Sequence, residues 1–200
     1  MSLKLRLASI WLPSFLIKKE LERVAEVTMG CLDQLLLKYK PDIMETISRD
    51  DLPMDGNLDD RRRIMANAHN IRIESLIEAM GYENAVNIGR KYLFKAGLKL
   101  GRDARERLTV NDSLPDLLRA ARVLYQVLGI EFEIEYGDEI TIIINKCCLS
   151  NYYTPETCRI LSAADEGVVQ GLNENIHMKF TQRMTDGPSE CLACIYNNSV

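Results

Sequence analysis

The sequence predicts an α+β fold: N-terminal helices packed with a C-terminal antiparallel sheet crossed by one helix. Three observations predict it. Up to about residue 128, apolar residues recur at helical spacing. From Ile130 the period switches to two, with Ile130, Phe132, Ile134 and Tyr136 alternating with Glu131, Glu133 and Glu135. One helical stretch after Pro155 then interrupts the strands. The 200 residues read as one domain, 1–200, with a helical half at 1–129 and a sheet-plus-helix half at 130–200 carrying the candidate site.

At the start, Leu7 to Ile17 is apolar behind Lys4 and Arg6 and loosely mimics a secretory leader. Pro13 interrupts it, and Lys18, Lys19 and Glu20 follow with no small-residue cleavage pattern. Ile17, Leu21, Val24, Cys31 and Leu35 predict a helix from Leu16 to about Tyr39, ended by Pro41. Residues 49–60, with Pro53, Gly56 and several aspartates, read as a polar loop. The next helix runs from about Asp59 to Met80 and stops at Gly81. Its Arg61-Arg62-Arg63 run, flanked by Asp59 and Asp60, reads as a solvated helix start.

A helix from about Glu83 to Arg107 carries Ala85, Gly89, Ala96, Gly97 and Gly101. Small residues at that density let another backbone approach closely, from this chain or from a second copy. Ser113 and Asp116 make a capping-box-like pair with Pro115 in the first turn, and Gly129 closes that helix. Gly137-Asp138 reads as a two-residue hairpin turn. Ile140, Ile142 and Ile144 then continue the buried face to Cys147-Cys148. Thr154-Pro155-Glu156 opens a helix that runs to about Leu172. Ile176 to Met184 reads as a strand, Asp186-Gly187-Pro188 as a turn, and Glu190 to Tyr196 as the last strand.

The net charge of −4 leaves no dense basic face, so nucleic acid is not an expected partner. No run of about 18 apolar residues exists to span a bilayer. The expectation is a soluble, cytoplasmic protein with a small-molecule ligand, no membrane partner and a possible homodimer. In a reducing compartment the six cysteines read as buried hydrophobes, metal ligands or reactive thiols.

Five of those six fall after residue 146: Cys147, Cys148, Cys158, Cys191 and Cys194. Zinc is a possible cofactor, held by the CxxC of Cys191 and Cys194 with Cys147 and Cys148, or by Cys148, Cys158 and Cys191. Against the CxxC set, residues three apart on a strand point to opposite faces. A reactive thiol with an acid–base partner is the second reading. Cys158, Leu161, Asp165 and Val168 share one helical stripe, with Ser162 and Glu166 beside it. A carboxylate on a buried stripe is costly unless paired. Arg183 is placed either to hold a substrate carboxylate or to pair with Asp165. The third reading is simple packing of thiols as small hydrophobes, above all Cys31 and Cys194. His69 reads as a packed or surface histidine, and His177 begins a strand. No Walker loop, GxGxxG or HExxH is present.

The order Cys148, Ser162-Ala163-Ala164-Asp165, Thr181-Gln182-Arg183, Gly187-Pro188-Ser189-Glu190-Cys191 resembles the closing region of the L-2-amino-thiazoline-4-carboxylate hydrolase family, over about the last 55 residues. That region has a cysteine at a strand end, a Cys-x-x-Asp helix, a Thr/Arg-bearing strand, and Gly followed after three residues by Cys. The layout is also similar to four-vinyl-reductase domains, which are small-molecule or metal-binding sensor modules. Ser162 stands where the hydrolase helix has a cysteine, and Cys158 lies one turn earlier. The resemblance implies ring-opening hydrolysis of a cyclic C–N bond, as in 2-aminothiazoline carboxylate going to N-carbamoyl-cysteine. It implies Asp165 as base, Cys158 or Cys191 as nucleophile, and Arg183, Ser162 and Thr181 as substrate-binding residues. The alternatives are a non-catalytic ligand- or metal-binding module, or a thiol redox sensor using Cys147, Cys148 or Cys158.

Overall fold

The computed structural model describes residues 2–45, 47 and 54–197. Part of the expected polar loop at 49–60 lies outside the described residues. The helices are α1 (Leu3–Ile10), α2 (Ser14–Tyr39), α3 (Leu58–Met80), α4 (Tyr82–Leu108), α5 (Leu114–Leu128) and α6 (Pro155–Leu172). The strands are β1 (Ile130–Tyr136), β2 (Ile140–Cys147), β3 (Ile176–Gln182) and β4 (Cys191–Asn197). They form one antiparallel sheet in the order β1-β2-β4-β3, with α6 as the connection between β2 and β3. The α+β architecture is as the two periodicities predicted.

Local chemistry sets the helix ends. Asn57 Oδ1 accepts from the backbone N–H groups of Asp59 and Asp60, and Asp60 returns the bond to Asn57, which closes a capping box on α3. Ser113 caps α5, and Gly129 ends it in the left-handed region at φ 71°. Thr154 caps α6 ahead of Pro155. The apolar start of the chain is helical: Ser2 accepts from Leu5 N–H, and its hydroxyl donates to Leu108 O at 2.6 Å.

The glycines of α4 meet a helix of the same chain. A Cβ at Gly97 would lie 2.0 Å from Ala164 O, and one at Gly167 would lie 2.1 Å from Phe94 O. Backbones can come this close only without side chains between them. The Gly97–Gly101 face of α4 therefore presses α6 onto the sheet. Val169 and Leu172 of α6 are buried there, with Ile142, Ile144, Met178 and Ala193 of the sheet.

Four expectations need correction. Arg62 is buried rather than solvated: its guanidinium donates to Val127 O at 3.1 Å and Gln126 O at 3.0 Å, binding the carbonyls that α5 leaves open at its C-terminus. The β1–β2 connection spans 137–139, because Tyr136 pairs with Ile140. Tyr136 is exposed, since that end of the hairpin runs past the helices. Strand β3 stops at Gln182, and a 3-10 turn at Met184–Asp186 follows, so Arg183 sits just beyond the strand.

Candidate active site

Helix α6, the ends of β2 and β3, the start of β4, and α2 and α3 enclose a small pocket of about 80 Å³. Cys158, Ser162 and Asp165 line it from α6, Arg183 and Cys191 from the strand ends, and Cys147 from the end of β2. Five of the expected site residues thus face one hollow. Two do not. Thr181 is exposed and donates to Leu192 O at 3.3 Å on the sheet's outer side. Cys148 opens the 3-10 turn at Cys148–Asn151 and points to Arg62 and Asp59, each at 4.0 Å, in a separate polar groove of about 710 Å³. Cys147, one residue earlier, takes the inward position because the β1–β2 register shifts between Glu131 and Phe132: Asn145 is an extra residue, and the alternation from Ile144 passes to Cys147 instead of Lys146 and Cys148.

Asp165 keeps some surface, and that surface borders two hollows. The second, about 70 Å³, lies between α2, α4, α5 and α6 and shares Val24, Thr28, Leu128, Ala164 and Asp165 with the first. Among the described residues the carboxylate meets no hydrogen-bond donor and forms no ion pair. Burial, and then the charge of Glu166, push its pKa up to about 7, against a smaller opposing pull from Arg183. A carboxyl held near neutrality can both take and give a proton at neutral pH.

Arg183 is buried and has no carboxylate partner among the described residues. Its Nε and Nη2 both donate to Ser162 Oγ at 3.1 Å. Arg90 of α4 donates to the same oxygen at 3.2 Å and pairs with Glu166 at 2.7 Å. Ser162 is therefore clamped by two guanidinium groups and is not a free nucleophile. Cys158, one turn earlier, faces the pocket. Burial raises the thiol pKa of both Cys158 and Cys191 and takes that of Cys147 to about 12. Cys191 Sγ also accepts from Met184 N–H at 3.3 Å.

Three polar pocket residues, His69, Tyr153 and Thr28, were not among the expected set. His69 is buried on α3, between Tyr153 Oη at 2.9 Å from Nδ1 and Thr28 Oγ1 at 2.8 Å from Nε2. Thr28 donates its own proton to Val24 O at 2.7 Å, so it must accept from His69. His69 then carries its proton on Nε2 and accepts the Tyr153 hydroxyl at Nδ1. Burial, then the charge of Arg72, hold its pKa down to about 3, so the ring stays neutral. These contacts span 41 and 84 residues of sequence, and no local pattern signals them.

The metal reading fares differently. Among the described residues no three His, Cys, Asp or Glu side chains converge to hold an ion. Cys191 is buried on one face of β4 while Cys194 lies on the other, and Cys148 points away from Cys158 and Cys191. The cysteines present do not fit a zinc site.

The family model of L-2-amino-thiazoline-4-carboxylic acid hydrolase matches residues 61–195. The chain belongs to this family. No curated protein matches it. The matched span contains every pocket residue named above except Val24 and Thr28 of α2. The hydrolase family therefore supplies most of the pocket, and α2 closes it from outside the matched region.

Proposed function

We propose that the chain hydrolyses a small cyclic amidine bearing a carboxylate, of the 2-aminothiazoline-carboxylate kind, with Asp165 as general base. One observation carries this reading. Asp165 and Arg183 line the same pocket, yet among the described residues neither forms an ion pair. Charges largely withdrawn from water and left unpaired are costly, and a substrate with an amidine and a carboxylate would satisfy both. Arg183 Nη1, free of the bonds to Ser162, would bind the substrate carboxylate.

The chemistry balances with water alone. Asp165 takes one proton from water as the water oxygen adds to the amidine carbon, and hands that proton to the ring nitrogen. The new hydroxyl then gives its proton to Asp165 as the carbonyl forms and the ring C–S bond breaks, and the departing sulfur takes that proton from Asp165. The product is N-carbamoyl-cysteine. The C–N unit is the group attacked, and the bond that breaks is the ring C–S bond. Burial holds Cys158 and Cys191 as thiols at neutral pH, which favours water over a thiolate as nucleophile. These two residues then form the wall of the pocket. The first hollow alone, at about 80 Å³, is smaller than the ~150 Å³ that holds a benzene ring. A five-membered ring needs the adjoining 70 Å³ beyond Asp165 as well.

The test is to supply L-2-amino-thiazoline-4-carboxylate and follow N-carbamoyl-cysteine and released thiol. Asp165→Asn should lower the rate by ~10²–10⁴-fold, with Cys158→Ser and Cys191→Ser within about tenfold of the parent. A folded Cys191→Ser or Cys158→Ser protein without turnover would assign the nucleophile to that thiol. No product from the unmodified protein would remove the hydrolase reading.

A further inference from the structure

Half of the exposed large apolar side chains in the described chain lie in one stretch at its start: Leu3, Leu7, Ile10, Trp11, Phe15 and Leu16. The first five are between 59% and 74% exposed, far beyond what a partly covered rim would show. In α1, Leu3, Leu7 and Ile10 stand at i, i+4 and i+7 and form one outward stripe. Leu5 points the other way and is fully buried. Lys4 and Arg6 fall on the two flanks of the stripe. On the first turns of α2, Phe15 and Lys19 share the outward face while Ile17 and Leu21 are buried.

Charge is segregated to match. Residues 2–19 contain Lys4, Arg6, Lys18 and Lys19 and no acidic residue, in a chain whose net charge is −4. The nearest acids in sequence are already engaged: Glu20 with Arg107 and Arg23, Glu22 with Arg61. The face is an apolar stripe with a basic rim.

We propose that this face docks on an anionic lipid surface. Helix α1 and the start of α2 lie in the plane of the interface, with Leu3, Leu7, Ile10, Trp11 and Phe15 entering the acyl boundary. Lys4, Arg6 and Lys19 meet the headgroups. A second copy of the chain is the less suitable occupant, because a symmetric contact would bring two basic rims together. No described helix is long and apolar enough to cross a membrane, but lying in the interface demands no such length. The face also lies outside residues 61–195, so it stands or falls independently of the hydrolase site.

Trp11 is the sole tryptophan, so its fluorescence reports on this face directly. The full chain is titrated with vesicles of phosphatidylcholine alone and of phosphatidylcholine mixed with phosphatidylserine. The expected result is a blue shift of Trp11 emission and co-sedimentation with the mixed vesicles only, weakened by salt. The double variant Lys4→Gln/Arg6→Gln should bind roughly thirtyfold more weakly, the change that corresponds to about 1 kcal/mol per charge. Leu7→Glu/Ile10→Glu should not bind, with an unchanged circular dichroism spectrum because both positions are exposed. No shift with either vesicle, or equal binding to both, overturns the proposal. A blue shift that grows with protein concentration without vesicles, together with a dimer in sedimentation, also overturns it and assigns the face to a second copy.

Discussion

Replacing Asp165 by asparagine should stabilise the protein at alkaline pH and leave it nearly unchanged in acid. The carboxyl has a pKa of about 7 in the folded chain against an ordinary value of 3.8. Between those two values the folded state holds a proton that the unfolded state has released. Stability therefore falls as pH rises from about 4 to about 7, and the full penalty is present above the folded pKa. A difference of about three pKa units at 1.36 kcal/mol each is on the order of 4 kcal/mol. Asparagine mimics the protonated acid in shape and carries no charge, so the variant escapes that penalty. The assay is urea unfolding of both proteins at about pH 4 and about pH 8, read as the difference between them. The other carboxylates cancel in that difference. The variant should be more stable by several kcal/mol at the higher pH and within about 1 kcal/mol at the lower. An equal difference at both pH values, or a less stable variant at pH 8, would refute the claim that Asp165 is a desolvated, unpaired carboxyl.

Other outcomes follow from the same contacts. Tyr153→Phe leaves His69 Nδ1 buried without its donor and should lower stability by ~1–3 kcal/mol in thermal unfolding. Gly97→Ala drives a methyl into Ala164 O and should lower stability by at least ~1–3 kcal/mol, visible as a drop in Tm. Asp33→Asn removes the partner of buried Arg72, bound at 2.7 Å, and should lower stability by about 3–5 kcal/mol in urea unfolding. Arg183→Met should raise KM for a carboxylate-bearing substrate ~10–100-fold in steady-state kinetics, more than it lowers kcat.

What could be read from the chain depended on how local the cause was. The Glu131–Glu135 alternation, the Ser113 cap and Gly129 act within a few residues, and the elements they predicted are present. The stripe of Cys158 and Asp165 was legible because helical spacing alone puts both on one face. The small residues of α4 announced a close approach but not its partner, which is α6 some seventy residues away. Arg62 looked solvated because its acceptors, the last carbonyls of α5, are remote in sequence. Cys148 was expected inside because the alternation through Ile140, Ile142 and Ile144 leads to it, and nothing local announced the register shift at Asn145 that brings Cys147 inward instead. His69 and Tyr153 were invisible for the same reason: a hydrogen bond across 84 residues leaves no trace in spacing. Whether Arg183 would pair with Asp165 was undecidable from sequence, because it depends on Ser162 holding the guanidinium elsewhere.

The pH dependence of kcat/KM for L-2-amino-thiazoline-4-carboxylate bears most directly on Asp165 as the base. The rate should climb with pH and reach half its plateau near 7, where that carboxyl loses its proton in the free protein. A profile already flat at about pH 5, where an ordinary carboxylate has long since ionised, would contradict it.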